Sequence, residues 1–180
     1  GVLLIAAGNY WMALMNLSIS PWQVVWPRVV IIIGLGLLFA PLNVAAFMTI
    51  PIQLRGAAVG LLALIRNEGG SVGTSVAQTI LERREQFHTL RLNENLDPLN
   101  PAVTSILELG QRLFMTHTGD PVMARQMSLQ LMANMRDRQA SSLAYFDVFW
   151  VAAVLALSLL LLVLMMKRAK VAKGAHVAAE

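Results

Sequence analysis

The stretch Arg28–Gly56, RVVIIIGLGLLFAPLNVAAFMTIPIQLRG, decides how this chain is read. Twenty-two consecutive residues, Val29 to Ile50, carry no charge, and a basic residue stands beyond each end, Arg28 and Arg55. A hydrocarbon core about 30 Å thick is crossed by roughly 20 helical residues, so the segment predicts a membrane-spanning helix over 29–50. Gly34 and Gly36 lie early in it and Pro41 near its middle. Proline inside a helix removes one backbone hydrogen bond and crowds the preceding turn, so a bend is expected there. Asn43, just after Pro41, is placed to line a cavity with the carbonyls that the bend frees, or to bond a neighbouring helix.

On the N-terminal side, Ser18–Pro27 carries Pro21, Trp22, Trp26 and Pro27. Tryptophan favours the membrane–water boundary and proline suits connections, so this reads as a short interfacial loop. Residues 1–17 are apolar but slightly short, as for a truncated transmembrane helix. Gly1 already lies inside an apolar run, and no basic start leads into a cleavable segment. The chain therefore reads as the C-terminal piece of something longer. On the other side, Pro51–Gly56 forms a polar turn and 57–81 a third span, with Arg66, Asn67 and Glu68 near its middle. A fourth span covers 144–166. The tail, 167–180, holds Lys167, Arg168, Lys170 and Lys173 against Glu180. Basic flanks mark the cytoplasmic side. That puts the C-terminus in the cytoplasm and 82–143 outside.

Composition points the same way. The chain is 57% hydrophobic and only 13% charged, whereas a soluble domain is about a quarter charged. The net charge of +4 does not indicate nucleic-acid binding. Residues 82–143 hold seven Arg and seven acids and so balance, which leaves much of the excess in the tail. The absence of cysteine excludes disulfides and thiolate metal sites.

Segment 82–143 is the one long polar region. Asn100 before Pro101 and Asp120 before Pro121 are helix starts, with the Asx residue as N-cap and proline in the first turn. Met123, Met127, Leu131 and Met135 recur at i, i+4 on one helix face, and methionine makes adaptable apolar contact surfaces. Nothing breaks the pattern before the last span. A single helix from Pro121 to Met166 would be about 70 Å long, its first part standing out of the membrane or lying along it.

Several residues bear on chemistry. A charge in mid-membrane faces water or a partner, so Arg66 and Glu68 are candidates for the transport route, with Asn67 and Asn43. Residues i and i+2 point to different helix faces, so Arg66 and Glu68 are poorly placed to pair. Gly56 and Gly60, then Gly69, Gly73 and Ala77, place small residues every fourth position, which lets helices approach closely in lipid. Gly69-Gly-Ser-Val-Gly73 lacks the Lys-Ser/Thr ending of a phosphate loop. Asp147, with Tyr145 and Trp150 close by, reads as an interfacial cap or a partner for an arginine. His88, His117 and His176 show no ligand spacing. No metal site, cofactor or catalytic constellation is recognisable, and an enzyme is not expected.

These motifs carry a resemblance. Arg28-x5-Gly34-x-Gly36, Pro41-Leu-Asn43, Leu54-Arg-Gly56, Arg66-Asn-x-Gly-Gly70-Ser-x-Gly73, Arg83-Arg-Glu-Gln-x-His88, Arg138-Gln139-Ala140 and Tyr145-x-Asp147 together resemble the C-terminal part of the fourteen-helix drug:proton antiporters of the major facilitator superfamily, the EmrB/QacA type. The resemblance implies an all-α membrane protein of the inner membrane, with four transmembrane helices of a major-facilitator-type bundle and a long helical periplasmic loop. It implies export of lipophilic or amphipathic compounds in exchange for protons. It also implies a periplasmic adaptor and an outer-membrane channel as partners, with the face of Met123, Met127, Leu131 and Met135, and Asp147, as contact candidates. Proton-coupling acids of such transporters lie largely in the N-terminal half and find no counterpart here. The alternative is a membrane-anchored interaction protein whose exterior Met-rich helix binds a periplasmic partner.

Overall fold

A computed structural model describes residues 1–17, 20–47, 50–97 and 99–165. The basic tail, on which the cytoplasmic C-terminus rests, lies outside the described residues. Among the described residues there are helices and no strand: α1 (Val2–Ala13), α2 (Pro21–Phe47), a 3-10 turn at Ile52–Leu54, α3 (Arg55–Glu94), α4 (Pro101–Thr118) and α5 (Pro121–Met165).

The helix bounds follow local chemistry, and some differ from the sequence reading. Trp22, Trp26 and Pro27, read as loop, belong to α2. The helix opens on Pro21, whose missing N–H is no loss in a first turn. Pro27 is also accommodated inside α2, with its side chain fully buried. No proline interrupts 55–94, so α3 runs for 40 residues past the end of the expected span. Asn100 caps α4 by accepting the Ala102 N–H at 3.0 Å, and Gly119 closes it in the left-handed region at φ 66°, which glycine adopts without a Cβ penalty. Asp120 Oδ1 accepts the Val122 N–H at 2.9 Å and opens α5. The 45 residues of α5 make a rod about 68 Å long. The polar segment read as a loop is thus almost entirely helical.

The axis of the fold is α5. Helices α1, α3 and α4 each pack on it, and α1 also packs on α2. Its buried positions are Ala124, Ser128, Ala140, Ala144, Ala153 and Ala156, all small residues that let a neighbouring backbone come close. At the α4 crossing, Gly110 sits so near that an added Cβ would lie 2.5 Å from Ser128 Oγ, and that hydroxyl donates to Leu107 O at 2.9 Å. Ser141 Oγ donates to Glu85 Oε1 at 2.6 Å, and Arg136 donates to Asn93 Oδ1 at 2.9 Å. These pairings run α3 antiparallel to α5. Where α1 crosses α2, a Cβ on Gly34 would meet Gly1 O and Leu4 Cβ, each at 2.9 Å, and one on Gly8 would meet Ile31 Cγ1 at 2.5 Å.

Two helices, α2 and α5, are long and apolar enough to cross a membrane. Only 6% and 11% of their most apolar windows are buried, which separates them from the core helix of a soluble domain. Of the other two expected spans, α1 is apolar but 12 residues long. In α3, Arg66, Asn67, Glu68 and the glycines and hydroxyls after them dilute the apolar pattern. The chain is all-helical with two candidate spans, consistent with an all-α membrane protein.

Candidate functional site

One polar contact joins the two helices that carry the pathway candidates. Arg66 on α3 donates from Nη2 to Asn43 Oδ1 on α2 at 3.4 Å, and its guanidinium carbon stands 4.8 Å from the Phe39 ring centroid. Phe39 and Asn43 are one turn apart on α2, so they share a face, and the planar guanidinium lies across both. A cation over an aromatic face is attracted by the ring quadrupole. Sequence reasoning singled out Asn43 and Arg66 but missed Phe39, whose i, i+4 spacing from Asn43 was the available signal. Arg66 has no carboxylate within ion-pair distance among the described residues, and neither Asn67 nor Glu68 joins this contact. Around it α3 is open: none of its residues is buried, and a Cβ on Gly56, Gly60, Gly69 or Gly73 would meet nothing within 4 Å. Gly36 is equally open, whereas Gly34 lies in the α1 crossing.

A second cluster ties α3 to α5. Asp147 Oδ2 accepts from Arg84 Nε at 2.6 Å and from His88 Nε2 at 2.7 Å. Arg84 and His88 are again one turn apart, so a single carboxylate reaches both. The hydrogen bond from Asp147 holds the Arg84 guanidinium above its ordinary range and so keeps it charged. Arg84 also stands 5.1 Å from the Phe87 ring centroid. His88 was read as a solvated loop residue. Its side chain is only 17% exposed, and its spacing from Arg84 was the missed signal. Asp147→Ala leaves two donors without their acceptor. Charged hydrogen bonds of this kind contribute about 1.5–3 kcal/mol. Arg84 is 44% exposed and can turn to water, so the expected loss is about 1–2 kcal/mol. Thermal unfolding in detergent measures it. Unchanged stability, with unchanged amide exchange at 84–94, would contradict the clamp.

Met123, Met127, Leu131 and Met135 lie exposed along α5, while Ala124 and Ser128 are buried. Met135 also lines a hollow of about 260 Å³ with Leu92, Leu96, Ile106, Met132 and Arg136.

The multidrug export protein EmrB of Escherichia coli K12 is similar to this chain, 28% identical over 138 residues, which is 77% of this chain and 25% of that protein. The probable multidrug resistance protein EmrY of the same organism is 28% identical over 136 residues, 76% of this chain and 25% of its own length. The colistin resistance protein EmrB of Acinetobacter baumannii is 25% identical over 145 residues, 81% of this chain and 28% of its own. The chain thus spans about a quarter of the length of the curated relatives it matches. No protein-family model matches it, and no solved structure does. The relatives that place this chain are multidrug export proteins, at a distance of about a quarter identity.

Proposed function

We propose that this chain forms part of a proton-coupled multidrug efflux transporter of the major facilitator superfamily, multi-pass in the bacterial inner membrane. The observation that carries the reading is the run of likeness to multidrug export proteins over about three quarters of the chain. The outward apolar surfaces of α2 and α5 support it, since they suit lipid or further helices. The spans are residues 1–17, 29–50, 57–81 and 144–166, with 82–143 as a periplasmic helical segment and the basic tail in the cytoplasm.

In this reading the Arg66–Asn43–Phe39 contact lines the route. Its three groups offer one cation, one amide and one aromatic face. A lipophilic cargo can stack on the ring and take the arginine's hydrogen bond from Asn43 without an ion pair having to break. The open glycine face of α3 then takes neighbouring helices as two halves rock about the site. The Met123–Met135 face meets a periplasmic adaptor, which leads to an outer-membrane channel. No proton carrier is assigned within this chain.

The test is expression of the complete reading frame containing this chain in an efflux-deficient bacterium. The expected result is lower accumulation of a lipophilic dye, restored to the uncomplemented level when an ionophore collapses the proton gradient. Equal accumulation with and without the protein in the membrane would reject the exporter. Dye export that survives collapse of the gradient would reject proton coupling alone.

A further inference from the structure

Where α1 ends and α2 begins, a hollow of about 630 Å³ is lined by Trp11, Asn16, Trp22, Gln23 and Trp26, together with Leu14 and Met15. Three of the four tryptophans of the chain therefore converge on one space from two helices. A belt that only anchored the protein at the interface would not need them to share a cavity. Pockets for drug-sized ligands run about 300–1,000 Å³, so the space is large enough.

The lining also states what it would hold. None of the lining residues is charged, so nothing there answers a phosphate headgroup, a carboxylate or an ammonium ion. Trp22 and Trp26 are one turn apart and offer neighbouring ring faces, which favour stacking with planar rings. Indole N–H groups are donors only. No protein acceptor among the described residues takes a hydrogen bond from any of the three, nor from the Asn16 amide. Gln23 Oε1 already accepts the Ser20 N–H at 3.0 Å, which leaves its amino group to donate. The rim thus holds donors in excess of acceptors, so its ligand brings acceptors of its own.

We infer that this hollow binds planar, uncharged aromatic compounds bearing carbonyl oxygens, of quinone-like chemistry. The inference deepens the export reading by naming a compound class, and it rests on that reading for the membrane placement of α1 and α2.

The test uses the full chain in phosphatidylethanolamine–phosphatidylglycerol nanodiscs, with menadione as probe and indole fluorescence as readout. In a Trp150→Phe background only the three site tryptophans report. A second protein, with Trp11, Trp22 and Trp26 all changed to Phe, keeps Trp150 as a partition control. Saturable quenching is expected in the first and a linear, partition-driven decline in the second. Asn16→Leu with Gln23→Leu keeps every indole and is expected to raise the half-saturating concentration at least tenfold. 2-Methylnaphthalene, which lacks acceptors, is expected not to displace menadione. Linear quenching in both proteins, or equal displacement by 2-methylnaphthalene, overturns the site. A chain that fails to enter nanodiscs sinks the membrane reading instead, and a chain that enters but quenches linearly sinks this site alone. Competition by a long-tailed benzoquinone would identify a membrane quinone as the natural source, and its failure to compete would point to an exported compound. Both follow only from saturable binding, and so uphold the site.

Discussion

Arg66→Leu is expected to lower dye export at least tenfold while the protein enters the membrane as well as before, or better. A mid-span arginine costs about 2.5–3.5 kcal/mol on insertion scales. Against this, the hydrogen bond to Asn43 is long at 3.4 Å and exposed, and contributes about 0.5 kcal/mol. The stacking on Phe39 at 4.8 Å adds about 0.5–1 kcal/mol. The balance says that removing the charge stabilises the helix. A residue kept against that balance serves the cargo. Arg66→Lys keeps the charge but loses the planar fork, so it should export at an intermediate rate. The check pairs initial efflux rates with melting temperature in detergent. If Arg66→Leu lowers melting and export together, Arg66 is a clamp between α2 and α3 and does not line the route.

Overpacking the middle of α5 is the second large effect. Ala140 and Ala144 are fully buried and recur, with Asp147, at helical spacing on the face that meets α3. A leucine at either position cannot fit unless the helices separate, at about 1–3 kcal/mol for each site. That separation would also pull Asp147 away from Arg84 and His88, so the double variant Ala140→Leu/Ala144→Leu should lose more than Asp147→Ala. Leu155→Ala makes the control. Its side chain is 58% exposed, and surface changes of this kind stay within about 0.5 kcal/mol. Melting in detergent distinguishes them. Equal melting of the double variant and the control would mean that the alanine seam does not set the approach of the helices.

Much of the architecture was readable from short-range chemistry. Asn100-Pro101 and Asp120-Pro121 announce the starts of α4 and α5, because capping and the missing proline N–H are local effects. The uninterrupted α5 was readable from the lack of any breaker between Pro121 and the last apolar run. The start of α2 was not, because Pro21, Trp22 and Trp26 fit an interfacial loop and a first helical turn equally well. Interhelical contacts were harder still. Asp147 suggested an arginine partner, but nothing local names Arg84, 63 positions earlier in the chain. His88 looked solvated because its burial comes from α5. Gly8 and Gly110 went unnoticed because a single glycine shows no spacing, yet the backbones of α1 and α4 come closest to their neighbours there. The repeated glycines of α3, conspicuous by spacing, face open space.

The central claim is that α5 passes from water into hydrocarbon along its length. Spin labels placed singly from position 122 to 163 in the liposome-bound protein test it, read by collision with oxygen and with a water-soluble nickel chelate. The account predicts nickel access on the exposed positions of 122–143, then loss of nickel access and rising oxygen access from about 148 to 163. Nickel access that stays high on the exposed positions throughout would contradict it.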